Sequence, residues 1–427
     1  MSNKINALRG MHDCLPAEIG YWQTIEGHLR SLFAEYGYCE IRTPMLEETR
    51  LFTRSIGEVT DIVEKEMYTF PDQSESLSLS LRPEMTAGIV RAGIQHGLFY
   101  NQVQKLWQIG PAFRYERPQK GRYRQFHQAD VEVFGVETPD VDAEMLAMLA
   151  RFWQRLGIAD EVKLEINSMG TAESRAQYRE KLIQYFEGFM DQLDEDCKRR
   201  LYTNPLRILD SKNPDLNEII AGAPKLLDHL DSESKEHFDL LCQQLDILGI
   251  PYIVNPRIVR GMDYYTRTVF EWTTTKLGSQ GTVCGGGRYD KMVEELGGRS
   301  TPAIGFGMGM ERLILLCQAC GVEANESTPL LTTIFLGEQA TLQGLAIVES
   351  LRNEIENAEI ITNLGGGSMK SQMKKADRSG AKYALIMGEN ELEQDIVILK
   401  DLRENGAQEE IARTELATFL RAKLAER

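Results

Sequence analysis

The sequence predicts an α+β fold divided among more than one domain, and three observations carry that expectation. At 427 residues the chain exceeds the roughly 250–300 residues at which a single hydrophobic core stops growing. Short apolar runs punctuated by glycine and proline flank a charged stretch of helical pattern at 171–250 that lacks glycine over most of its length. After it, about 100 residues at the C-terminal end alternate strand and helix, the pattern of a separate α/β unit.

Residues 17–36 read as an amphipathic helix, because Trp22, Ile25, Leu29, Leu32, Phe33 and Tyr36 recur at helical spacing. Gly37 stops it, and CEIRTP reads as a strand leading to Pro44. From there to about residue 170 the pattern is mostly short strands. Within it, VKLEIN (162–167) alternates, with Val162, Leu164 and Ile166 on one face. Strand and glycine character resumes with RGMDYYTRTVFEW (260–272), continues through GTVCGGGRYD, and ends in a helix starting within GFGMGMERLILLCQ. GVEANESTPL, around 321–330, is polar and turn-forming and reads as a linker. Beyond it come TTIFLG, an Ala- and Leu-rich helix, EIITNL, a second helix, KYALIMG, DIVILKD and a final helix. The expected division is therefore 1–170, a helical insertion at 171–250, 251–325 and 326–427.

Composition narrows the function classes. The 42% hydrophobic and 26% charged residues are those of a folded soluble protein. No run of 18 apolar residues exists, which argues against a membrane span. The start, MSNKINALRGMHD, has no continuous apolar stretch, which argues against a secretory signal. Seven scattered cysteines form no disulfide framework, so a cytoplasmic location is expected. Cys317 and Cys320, in CQAC, have zinc-like spacing but sit in an apolar helical pattern without a second ligand pair. They read as core packing rather than as a metal or redox pair. A net charge of −16 opposes non-specific coating of nucleic acid, whereas a local basic patch can still meet phosphate at short range.

Such a patch exists. FRYERPQKGRYRQFHQADVE (113–132) carries five positive charges and one negative between Arg114 and Arg124. No Walker-type loop or dinucleotide fingerprint is present, and the alternating glycines of GFGMGM (305–310) are a weak phosphate signal alone. Arg114, Arg260 and Arg312 are better phosphate candidates, because all three lie in glycine- and aromatic-rich segments and a guanidinium fork matches phosphate oxygens. The alternative for each is a solvated charge or salt-bridge partner. Glu84, Glu132, Tyr264 and Tyr265 form a second group, and Gln128, Asp130 and Glu132 would project from one face of a strand. An ordinary polar sheet face is the other reading. His127 falls on the opposite face, where packing or support is expected, and six histidines without paired spacing give a histidine-ligated metal little support.

These segments resemble the histidyl-tRNA synthetases, class II aminoacyl-tRNA synthetases, of bacterial type. The likeness runs nearly end to end. RGMHDCLP (9–16) is similar to the family's N-terminal segment, and the first helix with IRTPMLE (41–47) to motif 1, which makes dimer contacts. The basic stretch resembles motif 2 and GFGMGMERL motif 3. RGMDYYTRTVFE (260–271) and GGGRYD (285–290) resemble segments peculiar to the histidine enzymes.

The resemblance implies an antiparallel catalytic sheet in two parts (1–170 and 251–325), a helical insertion, and a C-terminal α/β anticodon-binding domain at 326–427. It implies a cytoplasmic homodimer that joins L-histidine to tRNA(His) using ATP and magnesium. By similarity Arg114 and Arg260 approach the α-phosphate from opposite sides, Arg312 holds the γ-phosphate, and Glu116 joins the nucleotide site. Glu84, Thr86 and Gln128 take the α-amino end of histidine, and Glu132 with Tyr264 or Tyr265 the imidazole. Arg117 and Gln119 meet the tRNA acceptor end, with Lys120, Arg122 and Arg124 adding attraction. The GGGSMKSQMKK run (365–375) and residues 376–378 add charge to the C-terminal domain.

One departure is Met85 in LRPEMTAG, where the family commonly has a small residue. Facing the substrate it would alter the pocket; facing the core it would not. The rival reading is the regulatory subunit of an ATP phosphoribosyltransferase, which shares the core but lacks the C-terminal domain.

Overall fold

The computed structural model describes residues 4–57, 60–209, 211, 213–258, 262, 264–278, 281–324, 328–404 and 406–425. The chain divides into two compact units between residues 325 and 326. Part of the predicted linker, 325–327, lies outside the described residues.

In the first unit, α1 (Pro16–Glu35) opens with proline at its first turn, where the missing N–H costs nothing. It buries Ile25, Leu29, Leu32 and Phe33, and Gly37 ends it with φ +76°. The strand expected over CEIRTP is only β1 (Cys39–Glu40), an edge pairing of two residues. Next come β2 (Leu46–Glu48), α2 (Thr49–Ile56), β3 (Thr69–Pro71), β4 (Ser78–Leu81) and α3 (Thr86–Gln95). β2, β4 and β3 make a small separate antiparallel sheet. Two ten-residue strands follow, β5 (Gln104–Phe113) and β6 (Gln125–Phe134), then α4 (Asp140–Arg155) and β7 (Lys163–Ser168).

Residues 44–170 are thus not mostly short strands. Among the described residues α2, α3 and α4 interrupt them, and in α4 the apolar residues Val141, Met145, Leu149, Phe152 and Trp153 bury one face.

Among the described residues, every regular element between β7 and the next strand is helical, including α5 (Ala172–Glu187), α6 (Glu195–Thr203), α7 (Asn217–Ala221) and α8 (Ser232–Leu248). Thr171, Asp194 and Asp231 cap three of them by accepting main-chain N–H groups. Phe238, Leu241 and Leu245 of α8 join the same core as α1 and α4, so this stretch is not wholly peripheral.

β8 (Tyr252–Val254), β9 (Thr266–Thr273), β10 (Thr282–Arg288), the short α9 (Met292–Glu295), β11 (Ala303–Gly309) and α10 (Met310–Ala319) complete the unit. Its eight-stranded sheet runs β1-β5-β6-β11-β10-β9-β7-β8. The six middle strands are antiparallel, and only the two edge strands pair in parallel. Alternation sorts its faces. Ala129, Val131 and Val133 of β6 and Ile304, Phe306 and Met308 of β11 pack in the core that holds α1, α4, α8 and α10. The intervening residues point the other way, toward a cavity.

Behind that cavity a buried ion pair ties β10 to α4. Arg288, fully buried, donates from Nε to both Asp142 carboxylate oxygens at 2.9 and 3.0 Å, and from Nη2 to the Thr138 carbonyl at 2.7 Å. Cys317 is buried in the helix-side core, as packing required.

The second unit holds β12 (Leu331–Phe335), α11 (Glu338–Glu354), β13 (Ile360–Ile361), α12 (Met369–Arg378), β14 (Tyr383–Met387), α13 (Glu389–Glu393), β15 (Ile396–Asp401), β16 (Gln408–Ala412) and α14 (Leu416–Ala425). Its sheet order is β13-β12-β14-β15-β16, parallel among the first three and antiparallel thereafter. β16 was not expected from the sequence, since QEEIA is a polar, exposed edge strand of the kind that hides its period.

Candidate active site

β6 and β11 lay the floor. Across their ladder Glu132 pairs with Gly305, Asp130 with Gly307 and Gln128 with Gly309. A Cβ on Gly305 would overlap the Glu132 carboxylate, and one on Gly307 would lie 3.0 Å from both Asp130 Oδ1 and Gln128 Nε2. The alternating glycines of GFGMGM therefore form a strand cleared for its neighbour's side chains, not a phosphate-cradling loop. Above this floor opens a cavity of about 280 Å³.

Its carboxylates are buried. Glu84, just before α3, accepts a hydrogen bond from the Ala87 N–H at 2.9 Å. Glu132, 1% exposed, accepts from Thr86 Oγ1 at 2.6 Å and from the Tyr289 hydroxyl. Burial drives the Glu132 carboxyl well above the usual range; the two hydroxyls oppose the rise, and Asp130 and Glu84 add to it. Asp130 moves the same way, through burial and then the Glu84 charge. Tyr264 packs on Tyr265 and Tyr289, with ring centroids 4.6 and 5.6 Å apart. Burial raises the Tyr264 phenol well above its ordinary value, with Tyr265 and the carboxylates contributing.

Among the described residues three arginines line the same cavity. Arg114, at the end of β5, donates to the Pro83 carbonyl at 2.9 Å and lies over Phe126, 5.3 Å from the ring centre. Arg312, in the first turn of α10, donates to the carbonyls of Gly121 at 3.2 Å and Thr282 at 2.9 Å. Burial lowers the Arg312 pKa, and the neighbouring Arg122 and Arg114 charges lower it further. Arg122 pairs with Glu116. Arg122 and Arg114 thus bring like charge to Arg312 at the cavity wall, a field that attracts anions.

The cavity thus gathers Glu84, Thr86, Arg114, Glu116, Gln128, Glu132, Tyr264, Tyr265 and Arg312 from the sequence-predicted set. Arg260 lies outside the described residues. Arg117 and Gln119 do not line the cavity; they are exposed in the β5–β6 connection, where Gln119 and Arg122 exchange backbone hydrogen bonds. His127 faces the helix side as its spacing required, edge-on to Trp22 and bonded through Nδ1 to Glu311 at 3.0 Å. Met85 is fully buried in the core, its sulfur accepting from Gln108 at 3.2 Å, so it leaves the pocket unaltered.

Sequence reasoning missed Tyr289 and Glu311. Tyr289 carried a signal, since it lies in GGGRYD; Glu311 had only its place beside Arg312. Among the described residues no group of three or more His, Cys, Asp or Glu is placed to chelate a metal. A magnesium ion fits only as a companion of bound phosphates, beside one or two carboxylates. Glu311 lines the cavity, and Glu271 is near enough to act on Arg312.

The mainly antiparallel sheet, its cavity lined by acids and arginines and the α/β unit that follows in sequence are the architecture of a class II aminoacyl-tRNA synthetase. Comparison with known proteins narrows the class. The sequence model of the histidyl-tRNA synthetases matches residues 10–313, and that of an anticodon-binding domain matches 334–423. The crystal structure of apo histidyl-tRNA synthetase from S. aureus is 38% identical, with 98% of this chain and 100% of that chain covered and a TM-score of 0.82. At 21% identity the fold is shared with histidyl-tRNA synthetase from Nostoc sp. (TM-score 0.70; 99% and 100% covered). It is also shared, again at 21%, with an ATP phosphoribosyltransferase regulatory subunit/histidyl-tRNA synthetase from Bacillus halodurans (TM-score 0.64; 91% and 99% covered).

The chain belongs to the histidyl-tRNA synthetase family, in its bacterial form. It activates L-histidine with ATP to histidyl-adenylate and transfers the histidine to the 3′ end of tRNA(His). The anticodon-binding match sets aside the regulatory-subunit reading.

Proposed function

We propose that histidine lies among the buried carboxylates of the cavity with its own carboxylate directed toward the arginines, along which ATP lies bent. One observation carries this reading: buried carboxylates and a cluster of guanidiniums line the same cavity. The substrate carboxylate attacks the α-phosphorus, a new carboxyl–phosphate bond forms, and pyrophosphate departs with the electron pair of the broken bridge. Arg114 and Arg260 stabilise the charge that grows on the α-phosphate, and Arg312 the terminal phosphate. Glu116 holds Arg122 at the nucleotide's edge. Glu84, Thr86 and Gln128 take the α-amino end. Glu132, with Tyr264 and Tyr265, meets the imidazole, and its fixed partners would leave an apolar rival unpaired. Glu271 and Glu311 would hold magnesium beside the phosphates, where the ion would offset their charge.

Arg117 and Gln119, exposed at the tip beyond the arginine wall, are the contacts for the tRNA acceptor end. A homodimer is supported by the small sheet, whose register puts Leu46, Phe70, Leu79 and Leu81 on one partly exposed apolar face. Seven free thiols suit a reducing compartment, in keeping with the cytoplasm.

Amino-acid-dependent ATP–pyrophosphate exchange without tRNA tests the site. Exchange should occur with histidine alone, and Arg114→Ala or Arg312→Ala should each lower its kcat by about 10²–10³-fold. Unchanged kcat in both variants would overturn the nucleotide assignment.

A further inference from the structure

We propose that Asp130 completes, with Glu84 and Gln128, a three-acceptor cradle for the α-ammonium group of the amino-acid substrate. The inference rests on the reading that the buried carboxylates of the cavity receive histidine, and it adds a residue to them. Asp130 and Glu84 are each 3% exposed. Asp130 Oδ2, Glu84 Oε2 and Gln128 Oε1 are buried and have no hydrogen-bond partner among the described residues. Native proteins rarely leave such oxygens unmet, and all three residues line one cavity. An ammonium group brings three N–H donors, matching the three acceptors.

Thr86 gives its single hydroxyl proton to Glu132 Oε1 at 2.6 Å, and its oxygen can still accept. Room for the ligand is built into the neighbouring strand. Bare Gly307 sits opposite Asp130, and the position its Cβ would take is 3.0 Å from both Asp130 Oδ1 and Gln128 Nε2.

The charges agree. Glu84 and Glu132 face Asp130 as like charges, and Arg82 and Arg114 as opposite ones. Arg82 is already engaged with the carbonyls of Pro111 at 2.7 Å and Thr43 at 3.0 Å, and Arg114 with that of Pro83 at 2.9 Å. A ligand cation is the missing neutralising partner. Burial and the Glu84 charge both disfavour ionised Asp130 in the free protein, and an ammonium would reverse that.

Competition against histidine in pyrophosphate exchange tests the cradle with two analogues. L-Histidinol keeps the amine and imidazole; 3-(imidazol-4-yl)propanoate keeps the imidazole and carboxylate but lacks the amine. Asp130→Asn should weaken histidinol inhibition by about 10–100-fold, the loss expected for a charged hydrogen bond. It should leave the deamino analogue and the KM for ATP within about twofold. Equal loss for both analogues would make Asp130 merely structural, and no loss for either would remove it from the site. Asp130→Ser, which keeps a small polar side chain, serves if the asparagine variant does not fold, with the same pattern expected. Glu84→Gln separates the two readings. If it discriminates between the analogues and the Asp130 variants do not, only the present proposal falls. If neither does, the placement of the amino group among these carboxylates fails as well.

Discussion

Asp130 shows what a binding site costs the free protein. Its buried carboxyl is pushed well above the usual range, first by burial and then by Glu84, with Arg82 and Arg114 opposing. A native pKa above the unfolded value, ordinarily about 3.9, means that the folded state holds a proton the unfolded chain has released. Stability contributed by this group is therefore present in acid and lost as pH rises through the native pKa. Asp130→Asn should melt at least about 2 °C higher than the parent protein near pH 8, with the gap closing toward pH 4. Thermal unfolding across that range checks it; a lower melting temperature at every pH would contradict the argument.

The residue scale was also where the sequence was most readable. Arg114 and Arg312 stand out by chemical type and by neighbours rich in glycine and aromatics, Glu84 and Glu132 by their place after LRP and at the end of the basic stretch, and all four line the cavity. Tyr289 was overlooked because nothing local to it says that its hydroxyl reaches Glu132, 157 residues away in the chain.

Among elements, β11 is the most instructive. Its spacing of glycines is plain in the sequence, but the reason belongs to β6, whose Gln128, Asp130 and Glu132 occupy the space a Cβ would need. Gly305→Ala should push the Glu132 carboxylate away from Thr86 and Tyr289. The expected cost is about 1–3 kcal/mol of stability and a raised KM for histidine, with the KM for ATP much less affected. Unfolding midpoints and exchange kinetics measure both. The long amphipathic helices and the alternating strand at 162–167 were legible because one period ran through many residues. α4 and β16 were not. The first has a clear period but followed strand-like sequence; the second is a five-residue polar edge.

For the whole molecule, each of the two units has hydrophobic clusters of its own among the described residues. The buried apolar groups of the first end before residue 325, and those of the second begin at Leu330. Each therefore has its own core with which to fold. A chain ending at residue 324 should retain histidine-dependent pyrophosphate exchange and lose most of its tRNA charging at limiting tRNA, because the matched anticodon-binding domain is gone. Parallel exchange and aminoacylation assays separate the outcomes; loss of both from a folded fragment would show that activation depends on the second unit.

By itself the sequence determined the α+β class, the helical character of 171–250, the α/β end of the chain and the residue types at the site. All of these are written in local period, turn chemistry and charge. The tertiary structure alone decided that GFGMGM is a strand making way for acids and that Met85 faces the core. It also decided that Glu132 is locked by Thr86 and Tyr289, and that Asp130 joins the cavity as an unmet acceptor. Those outcomes depend on which strand lies beside which and in what register, and pairing partners far apart in the chain leave no local trace of where they meet.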